Sequence, residues 1–398
     1  MKNKNKTLYL EIDESTAIFL IGQNDDQNNF KIIYKLDIKT SILIDNRISD
    51  YEKTFNILKE NIFLIEKKFD CTFNEIVIIL ENFKPTFVNL SGYKKLNGSQ
   101  VLRENITYIL NTLKSYVDKT ESKKKILHIF NSKFELDKKT IDNLPIGLFG
   151  DFYSHELSFI LINTNDFKNI ENILGKCNLK IKKILLKSFI KGAFLSEKNK
   201  DIETFFQISI NDNSSKIFYF ENNALKFEQD FNFGSEIIFK DISKITSLEI
   251  KTIKTILDKI DLNDKLNENE LLEEEFFKDI VHRKIKKKLI YEIALARIKE
   301  ISELMIFKNI NLNYYKKSSN TVFFEFKNKA KITNLEKIYE NVFSANNTLK
   351  VEFLHDLSSE VTLSTANKLV HFGWKKEAIP VAHSKKSLIS RIFAIIFE

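Results

Sequence analysis

One pattern limits the fold of this chain more than any other: three short apolar stretches, parted by polar turns, occur twice along it. Leu8–Ile12, Ala17–Ile21 and Phe30–Leu36 are apolar or alternating and are bounded by Asn, Asp and Ser, as strands joined by tight turns are. Thr204–Ile210, Lys216–Phe220 and Ala224–Phe231 repeat the arrangement with similar spacing. A helix follows each trio. After the first, Ser49 and Glu52 predict a capping box ahead of Phe55, Leu58, Ile62, Ile65 and Phe69, which recur at helical spacing. After the second, Gly234–Ser235 opens a helix carrying Ile237, Ile238 and Ile242. Each half then adds a buried strand, Glu75–Leu80 and Thr321–Phe326. The second is followed by another predicted capping box, Thr333 with Glu336, and a helix bearing Leu335, Ile338, Tyr339, Val342 and Phe343. Two related α/β lobes are the economical reading, and 398 residues leave room for both.

Two insertions interrupt the lobes. Residues 84–164 hold a helix (Ile106, Ile109, Leu110, Leu113, Val117) between strands such as Ile126–Phe130 and His155–Ile162, a small α+β subdomain. Residues 246–315 read as helical: Ile250, Ile253, Ile256, Leu257 and Ile260 line one face, and a long helix is expected from about Arg283 to Phe307. The basic cluster Arg283, Lys284, Lys286, Lys287 and Lys288 follows an acidic stretch, Glu268–Glu275. It lacks the interleaved aromatics of a nucleic-acid stacking platform and reads as a solvated face. A net charge of +8 spread over so long a chain adds little to that question, and no nucleic-acid partner is expected.

The start, Met1 to Glu14, is charged and shows no signal-peptide core, and no apolar run reaches the ~18–20 residues of a spanning helix. Cys71 and Cys177 show no metal-site spacing, and the six histidines are scattered, so no metal site is expected. The last residues are different in character. A polar tether, Lys375–Lys386, contains Pro380. Beyond it Leu388, Ile389, Ile392, Phe393, Ile395, Ile396 and Phe397 share a broad apolar face, opposite Ser387, Arg391, Ala394 and Glu398. A dozen helical residues reach roughly 18 Å, too short to cross a bilayer, so this segment is expected to lie in the interface of an anionic membrane. The alternative is a terminal helix docked on the protein's own core.

Several wordings are similar to those of the bacterial FtsA family within the actin-like ATPases. Asp142-Asn143-Leu144-Pro145-Ile146-Gly147-Leu148-Phe149-Gly150 resembles that family's N-P-I-G-M-x-G segment, with His155 at the expected distance and then Asn178-Leu179 with a hydrophobic strand. Phe233-Gly234-Ser235-Glu236-Ile237-Ile238-Phe239-Lys240-Asp241-Ile242 resembles P-x-G-G-x-x-I-T-x-D-I. Ile293-Ala294-Leu295-Ala296-Arg297-Ile298-Lys299-Glu300-Ile301 resembles the I-x-A-R-x-x-E-I helix. The matches run in order across nearly the whole chain. They imply a duplicated actin-like two-lobe α/β fold: 1–83 with 165–200 as the first lobe, 84–164 as the inserted α+β subdomain, 201–245 with 316–374 as the second lobe, and 246–315 as the helical insertion. The tether, 375–386, and the amphipathic helix, 387–398, complete it.

The resemblance also implies a function. Proteins of that family tether the tubulin-like FtsZ to the cytoplasmic face of the inner membrane at the division site and self-associate into filaments. It places the FtsZ C-terminal peptide on the helical insertion, where Arg297 is the matching position; a pair with Glu300 is the plain alternative for that side chain. ATP with Mg²⁺ is the implied cofactor, but the phosphate-binding turns depart from the family. Where Asp-Ile-Gly-Thr is expected the chain reads Glu11-Ile12-Asp13-Glu14, and the second, Gly-rich turn reads Ser209-Ile210-Asn211-Asp212-Asn213-Ser214-Ser215. The adenosine-side glycines are replaced around Glu325-Phe326-Lys327-Asn328. Asn and Asp accept positive φ, so the turn shapes survive, while carboxylates repel phosphate oxygens unless a metal intervenes. Glu11, Asp13, Glu14, Asn211, Asp212, Gly234 and Asp241 are thus positions of a degenerate nucleotide site, and efficient hydrolysis is not expected. A nucleotide-cycling ATPase and a pilus-type membrane adaptor of the same fold are the competing readings.

Overall fold

The structure, a computed structural model, describes residues 6–13, 15–25, 30–81, 83–263, 265–277, 283–313, 315, 321–327, 331–346, 349–355 and 358–378. It separates into two compact units, one reaching to Lys187 and resuming at Ala366, the other Ser188–Thr365. The boundaries expected from sequence lie later, after residue 200 and after residue 374.

In the first unit, the leading trio forms β1 (Lys6–Ile12), β2 (Thr16–Asn24) and β3 (Phe30–Lys39). A two-strand hairpin, β4 (Leu43–Ile44) and β5 (Arg47–Ile48), leads to α1 (Tyr51–Phe69), and β6 (Glu75–Leu80) follows. The cap of α1 corrects the sequence reading. Asp50, not Ser49, accepts the amide of Lys53 at 3.0 Å, while the Ser49 hydroxyl donates to the Ser41 carbonyl. Both residues are competent caps; the hairpin before the helix draws Ser49 away.

The inserted subdomain comprises β7 (Thr86–Lys95), α2 (Arg103–Thr120), β8 (Lys124–Leu136), β9 (Lys139–Ile141) and β10 (Phe152–Asn163), its sheet ordered β7-β10-β8-β9. Leu110 and Val117 of α2 pack on Ile129, Leu157, Phe159 and Leu161 of that sheet. The chain then returns through α3 (Thr164–Lys176) and β11 (Lys180–Leu186). The lobe's own sheet runs β11-β6-β1-β2-β3, with β2 antiparallel to both its neighbours and β1, β6 and β11 mutually parallel.

The second unit repeats this plan. After α4 (Lys187–Lys198) come β12 (Phe205–Ile210), β13 (Ser215–Glu221) and β14 (Ala224–Phe231), then α5 (Glu236–Thr246) and α6 (Ile250–Lys259). Further on are α7 (Lys287–Ser302), β15 (Thr321–Phe326), α8 (Leu335–Asn346) and β16 (Lys350–Phe353); α9 (Ser359–His371) leads back to the first unit. Its sheet, β14-β13-β12-β15-β16, has the same order and strand directions as the first. The duplicated α/β plan expected from the two trios is therefore the plan of the molecule.

Two details of the helical insertion differ from expectation. The long helix begins at Lys287, not Arg283, and Glu303–Phe307 continues it as a wider π-type turn. Residues 285–287 instead run beside the acidic stretch: Leu272 N donates to Ile285 O at 2.8 Å and Lys287 N to Glu270 O at 2.9 Å. The Lys287 ammonium pairs with Glu270 and Glu273, and that of Lys288 with Glu268 at 2.8 Å. Two of the five cluster residues, Lys287 and Lys288, are thus answered by the acidic run just before it. At the second predicted capping box the helix begins at Leu335, two residues after Thr333, and the Thr333 hydroxyl donates to Asp258 O at the end of α6.

Candidate functional site

In open sheets with parallel strands, ligand chemistry gathers where those strands end. In the first unit that edge holds three charged side chains. Glu11 lies one residue before the end of β1, Glu81 directly follows β6, and Lys187 directly follows β11. The Glu81 amide donates to Ile12 O at 2.9 Å, and Asp13 N donates to Thr16 O at 2.9 Å, closing the turn. Lys187 Nζ donates to Glu11 Oε1 at 2.5 Å and to Glu81 Oε2 at 2.6 Å. Burial alone would push the Lys187 ammonium down; Glu81 and Glu11 override it and hold the group well above the usual lysine range. Glu11 belongs to the degenerate turn expected from sequence. Glu81 and Lys187 were not singled out there, although each immediately follows a parallel strand. Glu14 lies outside the described residues.

The corresponding edge of the second unit is organised the same way. Both oxygens of Glu325, on β15 beside Ser209 of β12, lie 2.7 Å from Lys191 Nζ. The degenerate second turn is closed by Asn211 N on Ser214 O (2.8 Å) and by the Asn211 side-chain amide on the Ser214 hydroxyl (3.1 Å). The start of α5 is pressed against it. Ser235 N donates to Asn211 O at 3.0 Å and Glu236 N to Asp212 O at 2.8 Å. Gly234 makes that approach possible: a Cβ there would stand 2.2 Å from Asn211 O and 2.6 Å from Asp212 O.

These arrangements bear directly on nucleotide binding. Phosphates are held by free helix-terminal and turn amides, with cations alongside. Here two leading amides of α5 are spent on the protein's own carbonyls. The lysines at both strand edges are already matched by carboxylates, two against one in the first unit. The side chains present do not fit an ATP–Mg²⁺ phosphate site in either unit. At the end of β15, Phe326 packs on Tyr339 and Phe353, with ring centroids 5.4 and 6.0 Å away. Beside them opens a cavity of about 710 Å³ lined by Asp258, Lys331, Thr333, Glu336 and Lys337 among others.

The remaining expected positions are dispersed. Asp241 on α5 is held by the Arg297 guanidinium from α7, and Arg297 also pairs with Glu300. A separate cavity of about 590 Å³ in the helical insertion is lined by Lys259, Leu266, Glu270, Glu273, Phe276 and Lys287 among others. The tail residues Leu388, Ile389, Ile392, Phe393, Ile395, Ile396 and Phe397 lie outside the described residues. Among the described residues no helix is long and apolar enough to cross a membrane, and no group of three or more His, Cys, Asp or Glu is placed to hold a metal ion.

The chain's own sheet orders thus define a duplicated, actin-like α/β protein. It is similar in sequence to the cell division protein FtsA of Buchnera aphidicola subsp. Baizongia pistaciae (strain Bp), 22% identical over 268 residues. That match takes in 67% of this chain and 62% of the relative's length. No protein-family model matches the sequence. Among solved structures, the PilM-PilN type IV pilus biogenesis complex aligns with 92% of this chain and 97% of its own, at 9% identity and a TM-score of 0.49. MreB 5 of Spiroplasma citri bound to AMPPNP aligns with 91% and 96%, at 11% identity and a TM-score of 0.42.

Proposed function

We propose that this chain is a peripheral membrane adaptor of the FtsA kind, working on the cytoplasmic face of the inner membrane at the division site without a nucleotide cycle. The observation that carries the reading is the filling of both strand edges by internal ion pairs, Glu11–Lys187–Glu81 and Glu325–Lys191. An actin-like body whose phosphate positions are closed by its own side chains keeps the scaffold and gives up the switch. Similarity to a cell division protein supports the setting. The apolar face of residues 387–398 supports anchoring in anionic lipid.

In this reading the partner is the C-terminal peptide of FtsZ, taken up on the helical insertion. Arg297 would reach a peptide carboxylate by exchanging Glu300, which is half-exposed, while keeping Asp241. Exposed Leu144, Ile146, Leu148 and Phe149 on the inserted subdomain support contacts to further copies or other proteins. The test is co-flotation of FtsZ with anionic liposomes, using the full chain and one lacking 385–398. Recruitment of FtsZ by the full chain alone is expected. A chain that floats and leaves FtsZ behind refutes the adaptor role, and equal flotation without the tail refutes the anchor.

One observation favours a second reading, a nucleotide-dependent ATPase. The cavity beside Phe326 is large enough for a base, at about 710 Å³. The phosphate positions argue against it.

A further inference from the structure

After α9 the chain does not leave the first unit at once. Gly373, at φ +74°, ends the helix, Trp374 is buried, and the next residues lie along the outer edge of β8. Asn131 N donates to Lys376 O and Ala378 N to Ile129 O, each at 2.7 Å, which pairs Phe130 with Glu377 in an antiparallel bridge. Ala378 joins the apolar cluster under α2. The Glu377 carboxylate is gripped from two directions. Oε1 lies 3.1 Å from His128 Nδ1 on β8, in the inserted subdomain, and Oε2 accepts from Lys183 Nζ at 2.7 Å on β11, in the lobe sheet. The same ammonium donates to Leu369 O on α9 at 3.3 Å. Burial would push the Glu377 carboxyl up, yet His128 and Lys183 outweigh it and hold the group below the usual range.

Two backbone hydrogen bonds are a small hold for a strand; Lys376 adds contacts to the Phe134 ring and to Asp142 O, and the clasp on Glu377 adds the charged, part-buried hold. We infer that Lys375–Ala378 is a latch, closed by the Glu377 clasp, which ties the inserted sheet to the lobe sheet. Closed, it fixes the chain to the inserted subdomain as far as Ala378; released, the last fixed point falls back to Trp374 and the tie between the two sheets loosens. The latch stands on this geometry alone and does not rest on the anchoring reading.

Hydrogen exchange of the full chain, followed by mass spectrometry, tests it with Lys183→Met and Glu377→Gln. Peptides covering Ile129–Ser132 and Trp374–Ala378 are expected to exchange about tenfold faster or more in both variants, with β1 and β6 unchanged. Wild-type rates at both peptides in both variants overturn the latch. If a variant loosens β1 and β6 as well, the charge-exchanged pair Lys183→Glu with Glu377→Lys decides: slow exchange restored supports the clasp, fast exchange retained overturns it. Vesicle flotation is read separately. A chain that does not float removes the anchor and leaves the exchange result standing.

Discussion

His155 shows what burial does to a single residue. The resemblance uses it only as a spacing mark, but β10 turns its ring inward, beside Phe134 and Tyr153, and leaves it 1% exposed. Its Nε2 meets Asn131 Oδ1 at 2.9 Å, whereas Nδ1 has no partner among the described residues. Desolvation lowers its pKa from 6.5 to about 4. The folded state therefore holds the ring neutral where the unfolded chain would take a proton. Its stability contribution is complete above the unfolded value and is lost as pH falls from about 6.5 to 4. A drop of about 3 kcal/mol in unfolding free energy across that window is the expected order. Denaturant titrations at pH 7 and pH 4.5 check this, and in His155→Phe the difference should shrink by most of that amount. A pH dependence as steep in the variant would assign the effect to other groups.

At the scale of elements, the turns and the helix starts carry the information. The chain has only nine glycines, and it builds its hairpins from Asp and Asn instead. Asp45–Asn46 and Asn222–Asn223 all stand at φ between 47° and 68°, where short polar side chains tolerate the left-handed region. That explains how strand trios read from apolar periodicity survive with so little glycine. Gly234 is the counter-example, because no other residue type fits between α5 and the turn at Asn211–Asp212. Gly234→Ala should push α5 off that turn, lose the two amide bonds from Ser235 and Glu236, and cost about 1–3 kcal/mol. Thermal unfolding reads the loss, and a variant as stable as the parent would mean the helix start yields without strain. The six strands of the two trios were legible in advance to within a few residues, and Glu75–Leu80, Ala224–Phe231 and Thr321–Phe326 to the residue. The caps were not, since Ser49 and Asp50 are equally good on paper and the neighbouring β4–β5 hairpin chooses between them.

For the whole molecule, the consequential prediction concerns nucleotide. A ligand present at a hundred times its dissociation constant adds about 2.7 kcal/mol to the stability of the state it binds. The closed phosphate positions predict no such gain: the melting temperature with 5 mM ATP and Mg²⁺ should stay within about 1 °C of the value without it. A rise of several degrees would show that the ion pairs open for nucleotide, and the second reading would then take precedence.

The chain's linear order settled the duplication and the identity of the turns, because strand periodicity and turn residues are local properties that need no partner to be read. It also showed that those turns are poor in glycine and rich in carboxylate and amide side chains. What became of the carboxylates was decided only by tertiary structure. Glu11, Glu81 and Lys187 are separated by 70 and 106 positions, and parallel pairing of β1, β6 and β11 brings them to one edge. Glu377 meets His128 and Lys183 in the same way. Charges that far apart in sequence have no local signature of their partner, so the balance between a repelled phosphate and a satisfied ion pair is struck by the sheet.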